Sequence, residues 1–118
     1  MAVLTSDGAT LRAFADSVLR AAEEVLEEVL PVTLAVIGGV LAEAEPGSVA
    51  LQDADEGLPL LWGTFAGRRM VFRYNPMTAM IELREGTAEA NPYRLFGHRA
   101  LPMDIVHFFG SLRREGRI

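Results

Sequence analysis

Three runs of alternating residues, Leu60–Phe65, Arg69–Tyr74 and Ala79–Arg84, follow closely on one another, joined by Ala66-Gly67 and Asn75-Pro-Met-Thr78. A period of two gathers Met70, Phe72 and Tyr74 on one face and Arg69, Val71 and Arg73 on the other. In the third run Ile81 and Leu83 alternate with Glu82 and Arg84. Connections this short join only antiparallel neighbours. Keeping both apolar sets on one face requires an even-numbered second loop, and Pro76 cannot adopt the positive φ of a two-residue primed turn, so four residues are expected there. The centre of the chain is therefore committed to an antiparallel meander.

The flanks read as helices with two additional strands. Leu11, Phe14, Ala15, Val18, Ala22, Val25, Leu26 and Val29 recur at three- and four-residue steps, which predicts one amphipathic helix over 8–30. Ser6 or Asp7 suits its start and Pro31 its end. Its four acids Glu23, Glu24, Glu27 and Glu28 would then lie near the C-terminal end, where the helix dipole disfavours them. Residues 32–45 fit either a hairpin turning at Gly38-Gly39 or a second helix stopped by Pro46-Gly47, and the helix is preferred. Val49–Gln52 and Tyr93–His98 are candidate strands. A last helix, Met103 to Glu115, opens at Pro102 with Ile105, Val106, Phe109 and Leu112 as its buried stripe.

These elements predict a single α+β domain over 1–118. A single-layer antiparallel β-meander of four to five strands is packed by a long N-terminal helix, a possible second helix and a C-terminal helix. With 118 residues, half of them apolar, the chain can bury a core without disulfides or a structural metal. It has no cysteine, so thiolate metal sites and a cysteine nucleophile are excluded. The first residues lack a basic segment followed by an apolar run, and Val32–Ala42 falls short of the roughly 20 residues that span a bilayer. A cytoplasmic protein with no membrane segment is expected.

Charge is unevenly distributed. Residues 1–60 carry a net −9 and residues 61–118 a net +4, within a total of −5. Such a split can mark an interaction surface, although charged faces are the default state of protein surfaces. All 11 basic residues are arginine, which together with the frequent Ala, Gly, Val and Leu suits a GC-rich genome better than selection for planar recognition.

Searches for reactive groups return weak patterns. Asp104 and His107 share a helix face near His98, yet any His three residues from an Asp does so. Ser111, four residues after His107, lacks an oriented third group and a nucleophile elbow. Asp53-Ala-Asp-Glu-Gly57 departs from a calcium loop at its fifth, sixth and twelfth positions. Gly38-Gly39 lacks the further glycines and the Lys-Ser/Thr ending of phosphate loops. No cofactor, metal site or catalytic residue is predicted.

The strongest candidate is a surface. If Ala66-Gly67 is a two-residue turn, Trp62 lies opposite Val71, Thr64 opposite Arg69 and Leu60 opposite Arg73. Leu60, Trp62 and Val71 would then be ringed by Arg69, Arg73 and Glu82 on the less covered side of the sheet, whereas a third layer formed by residues 32–45 over that side would make Trp62 an ordinary core residue. Aromatic and arginine residues are the types enriched at interface centres. A non-catalytic protein-interaction module is expected, a homodimer through this face or a binder of another protein through the acidic helix. The alternative is a small-molecule pocket between sheet and helices, lined by Phe14, Trp62, Tyr74, Phe96 or Phe108. Nucleic acid ranks last, because the overall acidity opposes phosphate binding.

Overall fold

The computed structural model describes residues 2–53 and 58–115, so most of the acidic loop Asp53–Gly57 lies outside the described residues. The elements run α1 (Ala2–Ala21), a 3-10 turn (Glu23–Val25), α2 (Leu26–Glu43), β1 (Ala50–Gln52), β2 (Leu60–Phe65), β3 (Arg68–Asn75), β4 (Met80–Glu85), β5 (Arg94–Phe96) and α3 (Pro102–Glu115). The five strands form one antiparallel sheet in sequence order.

The register follows from the turns. Ala66 and Gly67 both take positive φ, 50° and 85°, as a two-residue type I′ hairpin requires. Trp62 accordingly pairs with Val71 and Thr64 with Arg69. Between β3 and β4, Asn75 pairs with Met80. The loop is thus the four residues Pro76–Ala79, one position later than the sequence suggested but with the same parity, so Arg73 faces Glu82 and Tyr74 faces Ile81.

One face of the sheet, carrying Leu61, Phe65, Met70, Phe72, Ile81, Leu83 and Phe96, packs with the buried residues of all three helices into one core. Phe109 of α3 is its hub, with ring centroids 5.7 Å from Phe65, 6.0 Å from Phe72, 6.3 Å from Phe96 and 5.5 Å from Phe108. Leu60 and Val71 point to the opposite face and stand outside that cluster.

The helical half departs from expectation in four places. The predicted helix over 8–30 is two helices, broken at Ala22–Val25 rather than at Pro31, and residues 32–43 continue the second of them. A straight helix over 2–43 would be about 63 Å long, well beyond the 40 Å longest dimension of the molecule. Folding back instead lets both helices join the core over the sheet. Pro31 is tolerated in the second turn of α2 because it removes only the bond to the Glu27 carbonyl, which lies on an exposed stretch that water can reach.

The break also moves the acids. Glu23 and Glu24 fall in the 3-10 turn and Glu27 and Glu28 in the first turn of α2. There the dipole favours them, so the electrostatic cost inferred from a single helix disappears. Asp7 is no cap; it is buried inside α1 and its carboxylate accepts the Gly47 amide at 2.9 Å. On the buried stripes, Val25, Leu26 and Val106 turn outward, and Phe108 takes the place assigned to Val106.

Candidate functional site

The five residues singled out in the sequence, Trp62, Arg69, Val71, Arg73 and Glu82, share the sheet face turned away from the helices. Val71 is flanked across the strands by Trp62 and Arg84, and along its own strand by Arg69 and Arg73. Those long neighbours leave it only 2% exposed. The Arg69 guanidinium lies 5.5 Å from the centre of the Trp62 ring, within cation–π range. It also donates to the Ser48 carbonyl at 2.7 Å and the Thr64 hydroxyl at 3.1 Å. The indole N–H of Trp62 donates to Gln52 Oε1 at 2.7 Å.

Beside this pair, Glu82 is buried and fully engaged. Its Oε1 accepts from Arg73 at 2.9 Å and Arg84 at 2.6 Å, and its Oε2 from Asn75 at 2.9 Å. Burial alone would raise the Glu82 carboxyl, but hydrogen bonds from Asn75, Arg84 and Arg73 outweigh it and hold the group at about 2. Arg84 also donates to the Ala90 carbonyl at 2.8 Å, tying the loop after β4 to the same network. The face is therefore a polar lattice in which most donors are already committed to partners within the sheet.

The other sequence suggestions separate in space. Phe14, Phe96 and Phe108 are core residues and Tyr74 is 3% exposed on the helix side, whereas Trp62 lies on the far face, so these five line no common pocket. Asp104 and His107 are exposed on α3. Among the described residues no three potential ligands gather where they could hold a metal ion. Ser111 donates its hydroxyl to the Phe108 carbonyl at 2.7 Å.

A second surface, absent from the sequence reading, lies on the helices. The outer side of α2 presents Leu30, Leu34 and Leu41 at 36%, 56% and 58% exposure, and α3 adds Met103 and Val106 at 62% and 54%. A groove of about 360 Å³ joins the two helices, lined by Ala35, Gly38 and Ala42 on one side and Pro102 and Val106 on the other. The signal was present as a second stripe. Leu26, Leu30, Leu34 and Leu41 are spaced by four, four and seven, one helix face, but Pro31 had been read as a stop. The run Glu23–Glu43 is by length and composition apolar enough to cross a membrane, its most apolar 18-residue window having a mean hydropathy of 1.9. This is longer than the Val32–Ala42 stretch first considered. Its inner side is packed into the core through Val29, Val32, Val36 and Val40.

No curated protein matches the chain. Residues 11–106, from Leu11 of α1 to the second turn of α3, match the family described as integron cassette protein VCH_CASS1 chain. The matched stretch contains every strand, the whole of α2 and all five residues of the sheet-face cluster. The chain belongs to the integron cassette protein VCH_CASS1 chain family.

Proposed function

We propose that this protein is a non-catalytic interaction module that pairs with a second copy of itself through the outer side of α2 and the flank of α3. The observation that carries the reading is the exposed row Leu30, Leu34 and Leu41 on α2, the same helix whose Ala35, Gly38 and Ala42 line the groove that Pro102 and Val106 of α3 close. Single exposed leucines are ordinary, but a contiguous apolar strip is the usual mark of an interaction site. A second copy is favoured because a two-fold interface needs knobs and holes on the same patch. Here the Leu34 and Leu41 side chains are the knobs, and the hole is floored by the small residues Gly38 and Ala42. The acids at the start of α2 would lie at the polar rim of such a contact, where charge limits wrong pairings more than it adds affinity.

A second reading places the partner on the sheet face, where Trp62 and its stacked Arg69 are the interface-type residues. Light scattering coupled to size-exclusion chromatography separates the two. Under the proposal the wild type is a dimer, Leu34→Glu and Leu41→Glu are folded monomers, and Trp62→Ala stays dimeric. A dimer lost only with Trp62→Ala transfers the interface to the sheet. A wild type that stays monomeric at high concentration overturns both.

A further inference from the structure

The bend between α1 and α2 carries no local feature that requires it. Ala22 (φ −100°, ψ 15°) and Val25 (φ −127°, ψ 31°) leave helical geometry, Glu23 and Glu24 between them form a 3-10 turn, and Leu26 is α-helical again. Among the described residues no side chain caps the 3-10 turn or the start of α2. The segment holds no glycine or proline, and alanine and glutamate favour a helix interior.

The apolar pattern runs straight through this bend. Val18, Ala22, Val25, Val29 and Val32 are spaced four, three, four and three, as one stripe of a continuous helix would be. In the folded chain the other four are buried, but Val25 is 37% exposed, beside Leu26 at 40%. Straightening would restore Val25 to the stripe. It would also give helical partners to the last carbonyls of α1 and the first amides of α2.

One chain cannot straighten and keep its core. A helix over 2–43 would carry α1 beyond its own sheet, and α1 supplies Leu11, Phe14 and Val18 to that core. Two chains can straighten together, because α1 of each can dock on the core of the other. The contacts of the closed chain are then remade between copies, the Asp7–Gly47 hydrogen bond included.

We infer that the α1–α2 bend is a hinge through which two copies of this chain exchange α1. In the exchanged pair the two long helices lie antiparallel, and Val25 and Leu26 of each face the other copy at the hinge. Glu23, Glu24, Glu27 and Glu28 of both copies meet at the same place, so added salt favours exchange. Opening uncovers the buried stripe of α1. A chain folded at low concentration therefore stays closed, and exchange accompanies refolding at high concentration. The inference uses none of the α2–α3 surface and stands without the pairing proposed above.

The test is made in the Leu34→Glu chain, where pairing through α2 is removed and any dimer reports exchange. Removing residues 23–25 leaves too short a connection for the bend and sets Val29 four positions after Ala22, so the stripe is kept. This shortened chain should have twice the mass of a single copy by light scattering. In samples refolded from a mixture of chains with different isotope labels, nuclear Overhauser contacts should join α1 of one copy to the core of the other. A folded monomer overturns the inference. Where the shortened chain does not fold, the intact hinge decides. Refolded from urea at high concentration, the Leu34→Glu chain should yield a dimer that persists on dilution and grows with salt. Val25→Gly, which disfavours the straight helix, should cut that yield about fivefold or more. Monomer alone under those conditions, or a dimer with no contact between α1 of one copy and the core of the other, overturns the inference.

Discussion

The ring of Phe109 occupies the space that a side chain on Gly39 would need: a Cβ built there comes far inside van der Waals contact of the ring carbons. Helices α2 and α3 can approach this closely only because that position is glycine. Phe109 cannot step aside, since Phe65, Phe72, Phe96 and Phe108 surround it. Overpacking costs about 1–3 kcal/mol and occasionally more, while alanine regains about 1 kcal/mol in helix propensity. With Phe109 held on all sides the upper end of that range applies, so Gly39→Ala should lose up to about 2 kcal/mol in urea unfolding. Adding Phe109→Leu should recover part of that loss, and strictly additive effects of the two changes would show that they do not share this space.

The Glu82 network makes stability depend on acid. The folded-state value of about 2 lies below the ordinary 4.5, so the stabilisation is complete above pH 4.5 and disappears as pH falls towards 2. That interval corresponds to about 3 kcal/mol, and solvent around Arg73, whose side chain is 44% exposed, lowers the expectation to about 2 kcal/mol. Glu82→Gln should be less stable at pH 7 and show a flatter profile between pH 4.5 and 2. Parallel profiles for wild type and variant would remove Glu82 as the source.

At the β2–β3 hairpin, Ala66 holds a φ of 50°, in the left-handed region where a Cβ is unfavourable. A type I′ turn prefers asparagine at this position, ahead of the glycine already present as Gly67. Ala66→Asn should stabilise the protein by about 0.5–1 kcal/mol, read as a higher urea midpoint at unchanged slope. No gain would mean that Ala66 does not hold this conformation in solution.

That hairpin also shows why the sheet was legible in the sequence and the helices were not. A two-residue turn and a period of two leave one register, so Trp62 opposite Val71 could be read directly. The break at Ala22 carries no such mark. Ala22, Glu23, Glu24 and Val25 contain no glycine, proline or asparagine, and the apolar stripe of α1 runs on through them. What bends the chain there is the tertiary gain of laying two helices over one sheet. The strongest local breaker, Pro31, lies past the start of α2 and breaks nothing, and trusting it concealed the Leu30, Leu34 and Leu41 row. The sheet-face cluster was legible for the same reason as the register, whereas the α2–α3 groove depends on how α3 docks, which no local pattern specifies.

Gly38, next to Gly39, should behave in the opposite way and so tests the assembly. A Cβ there meets nothing within 4 Å in the single chain, so Gly38→Ala should stabilise a monomer by about 0.5–1 kcal/mol through helix propensity alone. In the proposed dimer the same position is the floor of the groove that receives a leucine, and an added methyl fills it. In a Leu34→Glu background, where the chain is expected to be monomeric, Gly38→Ala should raise stability. In the wild-type background it should weaken dimerisation, seen as a shift towards monomer on dilution. If Gly38→Ala stabilises the monomer and leaves the dimer constant untouched, the pairing surface does not include the α2–α3 groove.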